Sequence, residues 1–183
     1  MAEARSSQER YLGARATSRL RLVLDANCDA DVLIAAAWAS SRSARKGLAL
    51  DIYGVMVTEQ MTGAYAVADK LSKLLRDRSY RNGDRQVLRR TEAIDLSLTV
   101  LKWWKKPTCR TCDGHGHPLL MNSPVVDESR ECPDCRGTGL IPLERLFQPQ
   151  HVEHARWLVG EIESMCSMVF NDMARVLSSR MDF

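Results

Sequence analysis

Apolar residues recur along this chain at the three- and four-residue intervals of an α-helix, whereas the alternating pattern of a half-buried strand is scarce. The longest regular segment runs from about Gln150 to Met181. Its apolar stripe consists of Ala155, Leu158, Ile162, Met165, Val169, Met173 and Val176, with Cys166 and Leu177 beside it. A methionine-rich stripe is typical of core packing or of a surface that faces a partner. The pattern predicts a mainly α protein, a helical bundle body that ends in a long C-terminal helix.

The N-terminal half begins with two predicted helices. The first is expected over 7–26. The second starts at Asp29 or Asp31, either of which is a favourable N-cap, and continues to about Arg45. Gly47 follows and is expected to end this helix, because glycine is common just beyond a helix C-terminus.

Three further elements are predicted between Gly47 and Pro107. LALDIYGVMVTEQ is apolar enough to be buried, but its β-branched residues leave helix and strand both open. A helix that starts near Thr62 places Val67, Leu71, Leu74 and Leu75 on its inner side, and the turn SYRNGD ends it. The next helix carries the apolar repeat Val87, Thr91, Ile94, Leu98 and Leu101. It ends before Pro107, which cannot continue a helix.

The length of 183 residues suits one domain or a helical body with a small inserted module. The expected regions are an N-terminal helical region over 1–106, a module over 107–142 and a C-terminal helical region over 143–183. No run of about 18 apolar residues occurs, so neither a membrane span nor a membrane partner is expected. The N-terminus lacks the apolar core of a signal peptide, which favours a reducing cytoplasm.

Positive charge is concentrated, although the net charge is only +3. Between Lys70 and Arg90, eight basic residues face two acidic ones, and a second basic group leads into the first cysteine pair. Localised positive charge is typical of a surface that binds phosphates, but it is also typical of a solvent-exposed helix face. The candidate nucleic-acid contacts are Arg76, Arg78, Arg81, Arg85, Arg89, Arg90, Lys105, Lys106 and Arg110.

One short phrase occurs twice, as CRTCDGHG at 109–116 and as CPDCRGTG at 132–139. Two thiolates separated by two residues can reach one ion from a tight turn, and a second such turn completes a tetrahedral four-cysteine shell. The sequence therefore predicts one structural Zn²⁺, with two redox pairs or an iron–sulfur cluster as alternatives. The predicted ligands are Cys109, Cys112, Cys132 and Cys135. Such turns require positive φ values, which glycine adopts readily. The glycines of the two repeated phrases suit this role: Gly114, Gly116, Gly137 and Gly139.

Other metal-binding and nucleophilic side chains are weaker candidates. His115 and His117 could replace a cysteine, but four thiols already suffice. His151 and His154 lie one helical turn apart without a third ligand and are expected to face solvent. The remaining cysteines, at positions 28 and 166, are expected to be buried structural thiols.

The motifs do not indicate an enzyme. A filled four-thiolate shell leaves no open position for a catalytic water. The sequence contains no catalytic triad signature, no phosphate-binding glycine loop and no metalloprotease motif. We therefore expect a protein that acts by binding.

Two families carry the doubled CxxCxGxG phrase. The DnaJ-type cysteine-rich zinc domain normally has four repeats and a J domain with His-Pro-Asp, whereas this chain has two repeats and no such tripeptide. The chain is more similar to antitermination protein Q of lambdoid bacteriophages. CRTCDGHG and CPDCRGTG stand where that family has its paired cysteines, and AIDLSLTVLKWWKKPT and IESMCSMVFNDMARVL resemble its flanking segments. The resemblance covers about Ile94–Leu177.

The resemblance to protein Q implies a transcription antitermination factor in the cytoplasm of a bacterial host cell. Members of that family bind a DNA element at the phage late promoter and load onto a paused bacterial RNA polymerase. They then travel with the enzyme and narrow its RNA exit channel, so that terminator hairpins do not form. The implied partners are RNA polymerase, double-stranded promoter DNA and the nascent RNA.

Two other functions stay open at this point. One is a zinc-dependent DNA- or RNA-binding regulator that does not travel with polymerase, and the other is a chaperone-like module that binds unfolded chains. Base readout would use a helix in the major groove. The segment DADVLIAAAWASSRSARKGLALDIYGVMV could form a helix–turn–helix around Gly47, with Arg42, Arg45 and Lys46 near the turn, or simply two core helices.

Overall fold

The computed structural model describes residues 29–57, 63–83, 87–118, 120 and 125–179. These residues form five α-helices and one short 3₁₀ helix, and no strand occurs among them. The helices are α1 (Asp29–Ser41), α2 (Ala44–Val57), α3 (Ala64–Arg81), α4 (Arg90–Lys105) and α5 (Pro149–Ser179), and the 3₁₀ helix is Leu143–Leu146. The prediction of a mainly α protein with a long C-terminal helix and an inserted cysteine module is confirmed. The helix expected over 7–26 and its neighbour Cys28 lie outside the described residues.

The chain divides into two compact units. One consists of the residues up to Lys70 together with those from Gly160 onwards, and the other is Leu71–Val159. None of the described helices combines the length and the apolar character that crossing a membrane requires.

The first unit packs α1, α2 and the C-terminal part of α5. Small side chains on α1 (Ala35, Ala36 and Ala39) are buried, and the ring of Tyr53 on α2 meets the edge of the Phe170 ring with centroids 4.5 Å apart. Two ion pairs join the start of α2 to α5: Arg45 with Glu161 and Lys46 with Asp172. The Lys46 ammonium, aided by the charges of Arg175 and Arg42, holds the pKa of the Asp172 carboxyl below its usual range.

The apolar stripe of α5 is confirmed almost residue by residue. The buried members are Ala155, Leu158, Ile162, Met165, Cys166, Val169, Met173 and Leu177, and Phe170 joins them. Val176 is half-buried. The stripe is thus core packing, as the 3.6-residue period of a helix with one buried face requires.

The expectation that Gly47 ends a helix is wrong. The break lies at Arg42 and Ser43, between α1 and α2, and Gly47 is inside α2. Ser43 begins α2 as an N-cap, because its hydroxyl accepts a hydrogen bond from the backbone N–H of Lys46 at 3.3 Å. The hydroxyls of Ser40 and Ser41 bond back to carbonyls three residues earlier, which competes with continuation of α1.

A helix–turn–helix centred on Gly47 is therefore not present. The basic side chains at the break and at the start of α2 are engaged within the unit. Arg42 lies over the Trp38 ring, 4.6 Å from its centroid, and Arg45 and Lys46 are paired with Glu161 and Asp172. The reading as two core helices agrees with these contacts.

Gly47→Ala is expected to stabilise the protein by about 0.5–1 kcal/mol, because glycine is costly inside a helix. A Cβ at this position would lie 3.9 Å from the Ser40 carbonyl oxygen, an ordinary contact. Gly83→Ala is the matched control. Its φ is +66°, so the same methyl group in open space should destabilise. Denaturant unfolding of both variants checks the prediction, and a loss of stability for Gly47→Ala would contradict it.

In the second unit the buried face of α4 differs from the predicted one. Val87 and Thr91 are exposed and Leu98 is half-buried, whereas the buried residues are Ala93, Ile94, Leu96, Ser97, Val100 and Leu101. The buried hydroxyl of Ser97 donates a hydrogen bond to the Ala93 carbonyl at 2.7 Å. Ile94 and Leu101 of the predicted repeat are buried, and Val87 lies before the first residue of α4. Because a buried serine can satisfy its own hydroxyl in this way, the apolar repeat did not identify Ser97 as part of the buried face.

The end of α3 agrees with the predicted turn SYRNGD. The helix ends at Arg81, and the backbone N–H groups of Asn82 and Gly83 bond to the carbonyls of Arg78 and Tyr80. Of the predicted inner residues, Val67, Leu71 and Leu75 are buried and Leu74 is half-buried. The expected start at Thr62 lies outside the described residues.

Candidate metal centre

Each cysteine phrase folds into a tight turn whose backbone amides point at its own cysteines. In the first turn the N–H of Gly114 bonds to the Cys109 carbonyl at 3.1 Å, and the N–H of Gly116 donates to Cys112 Sγ at 3.3 Å. The second turn repeats the arrangement. Arg136 N–H bonds to the Cys132 carbonyl at 2.8 Å, and Gly139 N–H donates to Cys135 Sγ at 3.2 Å. Amide donors of this kind stabilise sulfur in its charged, metal-binding form.

The two turns pack against each other in an approximately two-fold arrangement. The N–H of Cys109 bonds to the Gly139 carbonyl and the N–H of Cys132 bonds to the Gly116 carbonyl, both at 2.8 Å. The φ values of Gly116 and Gly139 are +80° and +72°. A side chain on either glycine would overlap backbone of the opposite turn. The glycines expected from the motif are thus needed both for the turn and for the close approach.

The four sulfur atoms fit one tetrahedral ion. All of them lie within 4.8 Å of one another, with 3.9 Å between Cys109 Sγ and Cys132 Sγ and 3.6 Å between Cys112 Sγ and Cys135 Sγ. Four ligands about 2.3 Å from a central Zn²⁺ would be separated by roughly 3.8 Å. The cysteines are at most 1% exposed, and none forms a disulfide. The arrangement fits a single ion and leaves too little room for a cluster of several irons.

The thiols require deprotonation before they bind a cation. Burial raises the pKa of Cys112 to about 11. Burial also acts on Cys109, but hydrogen bonds from the backbone of Cys112 and Thr111 outweigh it and lower that pKa to about 7. A divalent ion must therefore displace protons from the cluster, so affinity for Zn²⁺ rises with pH.

A polar clasp joins the two turns on their outer side. The Asp134 carboxylate accepts a hydrogen bond from the Thr111 hydroxyl of the other turn and, at 3.0 Å, one from Arg145 Nη1. The same Arg145 nitrogen bonds to the Asp134 carbonyl at 2.6 Å. The Thr111 hydroxyl, followed by Arg145, holds the pKa of Asp134 below its usual range.

Sequence reasoning did not identify this clasp. Thr111 and Asp134 occupy the same third position in the two phrases, and aligning the phrases would have paired them. Nothing in the sequence marks Arg145 as their partner.

The module is anchored to α4 through its stem. Thr108 and Leu140 form an antiparallel bridge, and Ile141 N–H bonds to the Pro107 carbonyl at 2.7 Å. Trp103 of α4 donates its indole N–H to the Ile141 carbonyl at 2.7 Å, and the Ile141 side chain packs against the four cysteines. The four-cysteine cluster therefore forms most of the core of the module.

Two backbone hydrogen bonds join described residues of the chain between the two turns. Leu120 N–H bonds to the Val125 carbonyl and Asp127 N–H to the Pro118 carbonyl, both at 2.9 Å.

The histidines stay outside the cluster. His115 is exposed, and His117 Nδ1 lies 2.9 Å from the Arg130 carbonyl. His151 and His154 are half-buried rather than solvent-facing, and His154 Nδ1 lies 3.5 Å from Arg78 Nη1. Within the described residues only the four cysteines form a group that could hold a metal.

Cys166 is buried in α5, where burial, aided by the charge of Glu163, raises its pKa to about 12. This protonated, inaccessible thiol matches the expected structural role.

The candidate nucleic-acid contacts differ in their surroundings. The exposed ones are Arg76, Arg81, Arg89, Arg90, Lys106 and Arg110, and Lys105 is half-buried. Arg78 has a side chain that is 16% exposed, lies 5.0 Å from the centre of the Trp157 ring and bonds to Glu153 Oε1 at 3.0 Å. Arg85 lies outside the described residues.

The fold and the site define a class: a mainly α protein with a buried four-cysteine cluster, which could hold one metal ion, inserted between α4 and α5. Comparison with protein-family models, with curated proteins and with solved structures finds no match to this chain.

Proposed function

We propose that this chain is a bacteriophage transcription antitermination factor, which binds promoter DNA and bacterial RNA polymerase and allows read-through of terminators. The observation that carries the proposal is the pair of CxxCxGxG turns, joined as one four-cysteine module and inserted between two helices. This is the plan of antitermination protein Q, which the sequence resembles over about Ile94–Leu177.

The module suits a protein that must present loops to a large partner. Its core consists of the metal ligands and Ile141, so its shape depends on the ion rather than on a large apolar interior. Trp103 and the stem hold it at the end of α4. Zinc, when bound, would supply structure and no catalytic step, because its four positions would be taken by sulfur.

Exposed arginines support a role at nucleic acid. Arg89 and Arg90 lie at the start of α4, and Arg76 and Arg81 lie on α3 of the same compact unit. Loading at a promoter needs phosphate contacts, and these weaken steeply as salt rises. Arg78 contributes less to this argument because its guanidinium already has Glu153 and Trp157 as partners.

The direct test combines binding with read-through. A tagged chain is passed through bacterial lysate with nuclease present and washed at moderate salt, and captured polymerase subunits are identified by mass spectrometry. Purified chain is then added to elongation complexes paused just downstream of a phage late promoter, ahead of a terminator. Capture of polymerase together with increased read-through supports the proposal.

The other outcomes separate the alternatives. DNA binding without any effect on paused complexes would favour a regulator that does not travel with polymerase. Recovery of an Hsp70 together with salt-insensitive binding would favour the chaperone-like module, because binding to unfolded chains depends on apolar surface. Either result would overturn the antitermination proposal.

Charge reversal tests the nucleic-acid part separately. Arg89→Glu with Arg90→Glu should weaken DNA binding at moderate salt by tenfold or more, about 1.4 kcal/mol, and make it less salt-dependent. Acidic residues at a helix N-terminus favour the helix, so α4 and zinc content should be retained. Lys70→Glu with Arg175→Glu makes the same charge change at two exposed positions outside the candidate set. Equal losses in both double variants would show that only net charge matters.

A further inference from the structure

The side chain of Tyr80 is exposed near the C-terminal end of α3, where basic residues are frequent. Tyr80 is 79% exposed although it belongs to the last turns of a helix whose opposite face is buried through Leu71, Ser72 and Leu75. Isolated exposed apolar residues are common. Tyr80 differs because of the charges on its own side of the helix.

Asp77, an exposed acid, lies three residues before Tyr80, but two other residues on the exposed side near Tyr80 are basic. Arg76 lies four residues before it and Lys73 seven, spacings that place the three side chains along one exposed stripe. Among the described residues, the side chains of Arg76 and Tyr80 have no hydrogen-bond or ion-pair partner. Arg81 folds back along the helix, and its Nε donates a hydrogen bond to the Asp77 carbonyl at 3.2 Å.

An exposed aromatic ring beside basic side chains matches the chemistry of an unpaired nucleotide, which has a flat base and a negatively charged phosphate. Proteins that bind single-stranded nucleic acid place aromatic side chains under unpaired bases and basic side chains along the backbone. A base in a duplex already has its stacking partners, so an exposed tyrosine adds little to duplex binding. The stripe therefore fits an unpaired strand better than promoter DNA.

We propose that the α3 stripe of Lys73, Arg76 and Tyr80 binds single-stranded nucleic acid, with one base stacked on the Tyr80 ring and phosphates held by Arg76 and Lys73. This inference shares with the proposed function only the need for a nucleic-acid partner. It does not depend on RNA polymerase, on zinc or on a promoter element.

The test measures binding of labelled 12-nucleotide single-stranded RNA and DNA, and of the matching duplex, to the purified full-length chain by fluorescence anisotropy. Tyr80→Ala should weaken binding to single strands about tenfold or more, whereas Tyr80→Phe, which keeps the ring, should bind as the parent does. Arg76→Ala should weaken binding and reduce its salt dependence. Binding to the duplex should change less than twofold in both tyrosine variants.

Tyr65→Ala is the matched control, since Tyr65 is 64% exposed on the same helix but eleven residues before Arg76. Equal binding by Tyr80→Ala and Tyr65→Ala, or an equal loss for single strand and duplex, would overturn the inference. Preference for RNA over DNA would identify a transcript as the source of the strand, and the reverse would identify an opened promoter. Failure of the read-through assay with intact single-strand binding would reject the proposed function alone.

Discussion

Cys112→Ser is expected to abolish stoichiometric zinc binding and to unfold the module from Pro107 to Ile141. The affinity loss should exceed the roughly 10- to 100-fold loss caused by removing a residue that only orients a metal ligand. Because the four cysteines and Ile141 make up the core of the module, metal affinity there is folding free energy. Metal analysis and the fluorescence of Trp103, whose indole bonds to the stem, report the two effects.

Cys166→Ser is the control for this variant. Cys166 is buried outside the metal cluster, so its loss can lower stability but should leave one zinc per chain. If Cys112→Ser keeps full metal content and the melting behaviour of the parent, the four-cysteine assignment is wrong. Removing zinc from the unmodified chain with a chelator should reproduce the unfolding, and added Zn²⁺ should reverse it.

Gly139→Ala is expected to destabilise the module by about 3 kcal/mol or more, because overlap with backbone cannot be relieved by a rotamer change. The new Cβ would overlap the Gly114 carbonyl oxygen of the opposite turn and lie 2.9 Å from its carbonyl carbon. The hydrogen bond from Cys109 N–H to the Gly139 carbonyl would be strained at the same time. Competition with a zinc chelator and thermal melting measure the effect.

Gly137→Ala separates backbone strain from collision. Its φ is +80°, like that of the colliding glycines, but its Cβ would lie no closer than 3.5 Å to the Glu131 side chain. For alanine at this position we expect only the cost of the left-handed backbone conformation, about 1–2 kcal/mol of stability. Equal losses of stability for Gly137→Ala and Gly139→Ala would show that the two turns do not pack as closely as the structure places them.

These variants bear on the proposed function in different ways. If the cysteine module unfolds without zinc, it should also lose any contact that its loops make with polymerase. The α3 stripe of Lys73, Arg76 and Tyr80 should keep its binding to single strands. A chain that retains read-through after losing zinc would therefore contradict the proposed role of the module. The zinc and Tyr80 experiments can be made on the same purified chain.

The sequence by itself determined the helical class, the stripe of α5 and the four cysteines that cluster. These features are set by local spacing: a 3.6-residue period selects one face of a helix, and two residues between cysteines fix a ligand turn. Tertiary structure decided what depends on neighbours distant in the chain. It packed the half-buried Arg78 against Trp157 while leaving Arg76 and Tyr80 exposed, and it brought Thr111 and Arg145 to the Asp134 carboxylate. It also placed Gly47 within a helix, because Ser43 supplied the cap and α2 packs its apolar face on the rest of its unit.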